Sequence, residues 1–384
     1  MEIYYGHPSQ EKLVGNVYRG RVEDVVPGMG SAFIDVGEKK SLFLSLNELN
    51  DAMLEEKGFK PWQSGIPIGK ILRQGQMITV QVRRDGIGTK NPQGTTKISI
   101  PGRFWVYLPT EDRLGVSRRV ETVRDQRRIR RLARALKKPG EGMIARTAAQ
   151  WATDEDLERD YRLLVESWER VGGSAKAAST PRLLYKAMGL VQTVLRDWMG
   201  PDISEVVVDS PFFFEKIQSF LEYMQMSSHS NKVRLHKGPE PLFAKHDIER
   251  QIQDSLARRV PLAGGGSIVI DETEALIAID VNTGADVRHR NQAAAILNTN
   301  LEAATEIARQ LRLRQISGII VVDFVDMEDP QHVQQVIDRV CEELRKDRVS
   351  ADFVDMTGLG LIEITRKRRG ESLSDMLENA KFDA

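Results

Sequence analysis

The sequence predicts a multidomain α/β protein, with a small β-barrel first, a helix-rich middle and a C-terminal half in which strands and helices alternate. Three observations carry this. The chain has 384 residues, more than the roughly 100–200 of one domain. Residues 15–108 hold short runs of β-branched and aromatic residues broken by glycine turns. From about residue 200, helical spacing alternates with strand-like runs.

Gly15–Val25 and Ser31–Val36 read as strands separated by the turn Pro27-Gly28-Met29-Gly30. Lys40–Leu46, Met77–Arg84 and Thr95–Leu108 follow. Five short strands in this space predict a Greek-key barrel of the oligonucleotide-binding type. Residues 121–199 are rich in helical pattern, with a loose stretch expected at Gly172-Gly173-Ser174. Beyond them come strand Val206–Asp209, helix Pro211–Gln225, strand Lys232–His236 and helix His246–Arg258. Strands Ser267–Asp271 and Ala275–Val281 precede a long helix, Ala293–Leu313, whose Leu297, Leu301, Ala304, Ala308 and Leu311 keep helical spacing. Strand Gly318–Phe324 and helix Gln331–Lys346 complete the pattern.

Hydrophobic residues make up 41% and charged residues 29%, which suits a well-cored protein and excludes global disorder. No apolar run reaches the roughly 18 residues of a membrane span. The start, Met1 to His7, lacks a charged segment followed by an apolar core, so a cytoplasmic location is expected. The single cysteine, Cys341, excludes an intrachain disulfide and a multi-cysteine metal site. With Ile337 and Val340 beside it on a helix, it reads as core.

Lys+Arg and Asp+Glu both count 55, but the charge is uneven. Residues 113–138 hold eleven basic side chains against Glu121 and Asp125. Ile129, Leu132, Ala133 and Leu136 recur at helical spacing, giving one buried stripe and a basic outer face. That face is either simply solvated or a contact for a polyanion. Arg366, Lys367, Arg368 and Arg369 repeat the theme. In the barrel, Tyr18, Phe33 and Phe43 fall on successive strands beside Arg19 and Arg21. Such rings either fill the barrel or stack on unpaired bases.

The sharpest chemistry lies in Ile277-Ala278-Ile279-Asp280-Val281-Asn282 and Ile319-Ile320-Val321-Val322-Asp323-Phe324. Each is a hydrophobic strand delivering a carboxylate near its C-terminal end. A buried strand gains nothing from an aspartate unless it is paired or solvated. On adjacent strands, Asp280 and Asp323 would make an oxygen-ligand site for Mg²⁺, which takes one or two carboxylates, several waters and phosphate oxygens. Asn282 could fix a carboxylate or a water. Capping of the strand ends is the alternative, and Asp286 and Asp326 are weaker candidates. Other chemistries lack support: there is no Gly-x-x-x-x-Gly-Lys loop, Gly264-Gly265-Gly266 precedes a strand, and the six histidines show no His-x-x-x-His pairing.

At these residues the chain resembles the ribonuclease E/G family of bacterial endoribonucleases. The resemblance runs nearly end to end through Leu13–Val22, Gly266–Asp271, Thr273–Asn282, Asn298–Ala304 and Ile320–Met327. It implies an RNase H-like subdomain split between residues 1–14, expected to be shortened, and 196–258. Between these parts it implies an S1-type RNA-binding barrel at 15–102 and a 5′-phosphate sensor region at 103–195. A DNase I-like catalytic subdomain is implied at 259–384.

The implied reaction is Mg²⁺-dependent hydrolysis of single-stranded RNA, with Asp280 and Asp323 holding the metal and Asn282 supporting them. The sensor falls on Arg146 and Thr147 within Glu141–Ala148, with further contacts on Gly102 and Val106. RNA contacts of the barrel fall on Phe33, Phe43 and Lys90. In place of the family's Cys-Pro-x-Cys zinc link, Ser372-Leu373 leads into Ser374-Asp375-Met376-Leu377. No zinc and at most a weak homo-oligomer are therefore expected. The segment Thr283–Gln292 departs from the family's glycine-and-acid pattern. A non-catalytic RNA-binding protein of the same fold is the alternative reading.

Overall fold

The structure, a computed structural model, describes every residue except 1, 5, 7–12, 87–89, 201, 285–291, 369–371 and 383–384, and leaves aside the side chains of 379–382. The chain divides into two compact units, residues 8–235 and residues 236–384 with 1–7. This boundary falls inside the segment 196–258.

In the first unit, β1 (Val17–Val26), β2 (Ser31–Asp35), β3 (Leu42–Ser45), β4 (Met77–Arg84) and β5 (Gln93–Thr95) close in the order β1-β2-β3-β5-β4-β1. The closed five-stranded barrel is of the oligonucleotide-binding type. Alternation sets its faces: Ile34, Leu42, Leu44, Val80 and Val82 fill the interior, each worth roughly 1.5–3 kcal/mol of burial. Helix α1 (Asp51–Glu56) follows β3, its first turn capped by the Asn50 side chain accepting from the Met53 N–H.

The fifth expected strand, Thr95–Leu108, is instead three elements. After β5 the chain makes β6 (Ile100–Pro101), turns at Gly102, and returns as β7 (Trp105–Leu108), with Ile100 opposite Tyr107. β8 (Leu114–Val116) and β9 (Gly142–Ala145) complete a sheet of order β6-β7-β9-β8. Helix α2 (Val123–Leu136) buries Ile129 and Ala133 and packs Leu132 and Leu136 on the same core, as the spacing predicts. Helix α3 (Asp154–Ala177) runs straight through Gly172 and Gly173, where a loose stretch was expected. A capping box at Thr153 and Asp156 starts it, and buried Leu157, Tyr161, Leu164 and Val171 hold it. That packing outweighs the roughly 1 kcal/mol each glycine costs.

β10 (Arg182–Tyr185) adds to β1 outside the closed barrel. Helices α4 (Leu190–Trp198) and α5 (Pro211–Tyr223) share a small core, with β11 (Val206–Val208) parallel to β12 (Val233–Leu235).

The second unit begins with a short helix α6 (Leu242–Lys245) that the sequence did not suggest, and α7 (Ile248–Ser255), which falls within the expected helix His246–Arg258; Asp247, at φ 53°, stands between them. Its sheet has the order β13-β14-β15-β16-β18-β17. The strands are β13 (Arg259–Pro261), β14 (Ser267–Glu272), β15 (Ile277–Asn282), β16 (Gly318–Asp323), β17 (Ala351–Met356) and β18 (Ile362–Arg366). Helices α8 (Gln292–Leu313) and α9 (Pro330–Arg345) supply Ala303, Ile307, Leu311, Val336 and Val340 to one core with the sheet. The last helix is α10 (Leu373–Phe382). Gly264-Gly265-Gly266 is the turn between β13 and β14, as read from the sequence.

Two further expectations change. Cys341 is only partly buried, because the core side of α9 is set by Val336, Val340 and Leu344 and Cys341 lies at its edge. Arg366 is no part of a basic surface: it is buried, donates to Asp347 at 2.7 Å and bonds the Ile316 carbonyl at 2.7 Å. Among the described residues, no helix is long and apolar enough to cross a membrane.

Candidate active site

β15 and β16 are parallel neighbours, and their register places Asp280 directly opposite Asp323. Ile277, Ile279 and Val281 of β15, with Ile320 and Val322 of β16, turn into the core. Strand alternation therefore throws Asp280, Asn282 and Asp323 onto the other face, where all three are exposed. The Asn282 amide donates to Asp280 Oδ2 at 2.6 Å. That bond fixes one carboxylate; among the described residues Asp280 Oδ1 and both oxygens of Asp323 have no hydrogen-bond partner. Asp326 is exposed just beyond the strand end, while Asp286 and most of Thr283–Gln292 lie outside the described residues.

Neighbouring groups set the strand ends. Asn300 on α8 is fully buried, and its amide accepts from the Val325 N–H and donates to the Val325 carbonyl. This pins the chain two residues after Asp323. The Gly264 N–H donates to Glu302 of the same helix at 2.8 Å. A Cβ on Gly266 would stand 2.7 Å from the Asn282 carbonyl, so the glycine turn lets the backbone close on the end of β15. The donor set fits a hard divalent cation: two carboxylates side by side, neither paired with a basic side chain among the described residues. No group of three or more His, Cys, Asp or Glu gathers anywhere among the described residues, so the pair stands as two carboxylates alone.

In the other unit, the turn at Gly102 builds a second polar site. The Arg146 backbone N–H donates to the Phe104 carbonyl at 2.8 Å, at the end of the β7–β9 ladder. Its guanidinium Nη1 donates to the Gly102 carbonyl at 2.8 Å and to Asp197 at 2.7 Å. Among the described residues Nε and Nη2 have no protein partner. That edge of the guanidinium is the one that grips two oxygens of a phosphate or carboxylate in parallel. Thr147 Oγ1 lies 3.0 Å from Ser117 Oγ.

Gly102, Arg146 and Thr147 thus come together. Val106 of β7 lies opposite Pro101, the residue before Gly102, and opposite Ile144, two residues before Arg146, so alternation puts it on the strand face that leads to Arg146.

Asp160 on α3 organises this turn. Its carboxylate accepts backbone N–H groups of Arg103 (3.1 Å), Phe104 (2.8 Å) and Trp105 (3.0 Å). A Cβ on Gly102 would lie 2.6 Å from it, so this position must be glycine. Burial pushes the Asp160 carboxyl above its ordinary value, against the pull of the three N–H groups and of Arg146. Asp197 behaves differently. Burial raises it, but the hydrogen bonds and charges of Arg196 and Arg146 outweigh that and hold it down at about 2.

Comparison with known proteins decides the family. The sequence profile of the Ribonuclease E/G family matches residues 99–369. Ribonuclease G of Haemophilus influenzae is 38% identical over 382 residues, covering 98% of this chain and 77% of that one. Ribonuclease G of Escherichia coli K12 is also 38% identical, with the same two coverages. Ribonuclease E of Nostoc sp. is 35% identical over 366 residues, covering 94% of this chain and 52% of its own. The chain belongs to the ribonuclease E/G family.

In this family member the barrel offers a further polar and aromatic surface. Phe33 and Phe43 are paired across β2 and β3, with ring centroids 6.0 Å apart and edge to face. They are partly exposed on the outer face, whereas Tyr18 is core, 1% exposed, its hydroxyl donating to Glu38. Lys90 is exposed in the chain leading to β5, where the Pro92 carbonyl accepts from the Phe43 N–H. On α2, Arg124, Arg127, Arg130, Arg131 and Arg134 are exposed, and Arg128 is spent on Asp154 at 2.7 Å.

Sequence reading missed Ser117, Asp160, Asp197 and Asn300. Asp160 and Asp197 carried a signal: acidic residues at positions where helical spacing demands burial. Ser117 carried none.

Proposed function

We propose that this protein is a Mg²⁺-dependent endoribonuclease that cleaves single-stranded RNA and reads a 5′-monophosphate. The reaction is placed in the cytoplasm, in RNA processing and decay. The observation that carries the reading is the in-register pair Asp280 and Asp323, with Asn282 bonded to Asp280, on the open face of the sheet. Asp280 and Asp323 would hold the ion; a bound Mg²⁺ supplies charge neutralisation at the phosphodiester and a water of lowered pKa. Asn282 orients Asp280 for that task, and Asn300 holds the strand end that carries Asp323. This complete set favours the enzyme over a non-catalytic binding protein.

The C-terminal sheet with α8 and α9 is read as the DNase I-like subdomain at 259–384. Residues 1–14 and 196–258 are read as the RNase H-like one, 15–102 as the S1-type barrel and 103–195 as the sensor region. Phe33, Phe43 and Lys90 take the single strand by stacking and charge. The free edge of Arg146, with Thr147 and the turn at Gly102, takes the terminal phosphate; Val106 is assigned to the same region. Within these 384 residues a single cysteine offers no thiolate set for a structural zinc, so Mg²⁺ is the metal proposed for them.

The test is incubation with a single-stranded RNA carrying either a 5′-monophosphate or a 5′-hydroxyl, with and without Mg²⁺. Cleavage that needs Mg²⁺ and runs faster on the monophosphate is expected. Undiminished cleavage with a chelator present sinks the metal assignment, and equal rates on the two ends sink the sensor.

A further inference from the structure

Trp151 is a large aromatic side chain four residues after Thr147, at the far end of the same 3-10 turn, with no role in the proposed sensor. It is 74% exposed, although a tryptophan ring carries roughly 150–250 Å² of surface that water does not favour. Its backbone is firmly held. It ends the 3-10 turn Thr147–Trp151, in which Ala149 is buried. Arg128 of α2 donates to the carbonyls of Ala149 (3.2 Å) and Gln150 (3.3 Å) and pairs with Asp154. The Gln150 side chain accepts from the Glu121 N–H at 3.2 Å. A fixed backbone thus presents a free ring. Trp62, also exposed, has the Lys60 ammonium over its ring at 5.4 Å. Among the described residues no ring or cation packs on Trp151 in that way.

The placement says what the ring is for. A 3-10 turn rises about 2 Å per residue, so Trp151 stands roughly 8 Å along from Thr147. In a stacked strand that is about two nucleotides. Exposed arginines lie on the neighbouring elements: Arg124 and Arg131, one helical turn before and after Arg128, and Arg118 next to Ser117; the acids there are Asp154, held by Arg128, with exposed Glu121 and Glu155. An exposed indole among arginines suits a nucleobase with its phosphates, because the ring takes the base and the guanidinium groups take the backbone.

We propose that Trp151 is a stacking platform for the base of the first or second nucleotide of an RNA whose 5′-phosphate sits on Arg146 and Thr147. This rests on the sensor reading of that pocket. The sensor would then bind a phosphate together with a stacked base rather than a bare anion.

The experiment uses the full chain, without divalent cations so that cleavage does not compete, and a short single-stranded RNA with a 5′-monophosphate. Binding is compared for wild type, Trp151→Ala, Trp151→Phe and Arg146→Gln. The same RNA is also made with one abasic residue at each of positions 1 to 6. Trp151→Ala should bind at least about fivefold more weakly, the low end of a base-stacking loss, and Trp151→Phe should recover most of it. An abasic residue at position 1 or 2 should cost wild type a similar factor and cost Trp151→Ala nothing. Wild-type affinity in Trp151→Ala, or an equal abasic penalty in both proteins, would overturn the platform while leaving the sensor standing. If wild type shows no preference for the 5′-phosphate, or Arg146→Gln leaves that preference unchanged, the sensor reading fails and the platform falls with it.

Discussion

The carboxylate face of the C-terminal sheet and the pocket at Gly102 are both polar sites, built in opposite ways. Asp280 and Asp323 stand exposed in register, and among the described residues one amide is the only hydrogen-bond partner of the two carboxylates. In the pocket, Asp160 accepts three backbone N–H groups, and Asp197 is shared by two arginines. Among the described residues the first site leaves its carboxylate charge unpaired. The second spends charge internally and leaves one edge of one guanidinium without a protein partner among those residues. Removing a group from the first should therefore harm chemistry and spare the fold. Removing a group from the second should harm the fold, or the aim, before it harms chemistry.

The largest effect is expected at the open site. Asp280→Asn or Asp323→Asn should lower the cleavage rate by about a thousandfold or more, since several kcal/mol of transition-state stabilisation go with the metal. The melting temperature and RNA affinity should stay near wild type, because neither carboxylate supports packing. Cleavage assays beside thermal melts check this, and a large drop in melting temperature would break the contrast.

Asp160→Ala should do the reverse. It leaves three backbone N–H groups in a turn, one buried and two partly buried, without their acceptor, and buried unsatisfied groups cost about 1–3 kcal/mol each. A loss of about 3 kcal/mol or more in urea unfolding of the full chain is expected. Asp160→Asn should recover part of it, since an amide oxygen still accepts. Equal stability of Asp160→Ala and wild type would mean that the turn does not depend on the carboxylate.

Arg146→Gln tests the leftover edge. A charge-assisted hydrogen bond is worth about 1.5–3 kcal/mol, so the preference for 5′-monophosphate over 5′-hydroxyl RNA should shrink by roughly tenfold to a hundredfold. The rate on 5′-hydroxyl RNA should stay nearly the same. A matching loss on both substrates would place Arg146 in general RNA binding rather than in end recognition.

The same contrast explains what could be read from sequence alone. Asp280 and Asp323 were legible because each interrupts a hydrophobic strand, and period-two alternation then sends both side chains to the face opposite Ile279 and Val322. The stripe of α2 was legible for the same kind of reason. The turn at Gly102 was hidden. It depends on Asp160, 58 residues away in sequence, and the local run of β-branched and aromatic residues from Thr95 to Leu108 reads as one strand without it. Gly172-Gly173 misled in the other direction, because local propensity is a weak force beside the buried side of a long helix. Arg366 read as surface charge because nothing near it in sequence announces Asp347.

Asp197 provides the smallest expected effect and a test that needs no RNA. Its carboxyl is held at about 2 in the folded protein, below the ordinary value of 3.8. A group with a depressed folded value contributes stability above its unfolded value, and that contribution fades as pH falls through the folded one. The window is therefore roughly pH 4 to pH 2, and the contribution above it is about 2 kcal/mol. Many other carboxylates titrate in the same range, so the informative quantity is the difference between wild type and Asp197→Asn. At pH 6 the variant should be less stable by about 2 kcal/mol, because Arg146 and Arg196 lose their shared counter-charge. By pH 2 the wild-type carboxyl is half protonated or more and resembles the amide, so the two unfolding curves should converge. Parallel urea titrations at several pH values measure this directly. A gap that stays constant with pH would mean that Asp197 matters for its shape and not its charge, and the pocket would then be less unlike the open carboxylate face than its hydrogen bonds indicate.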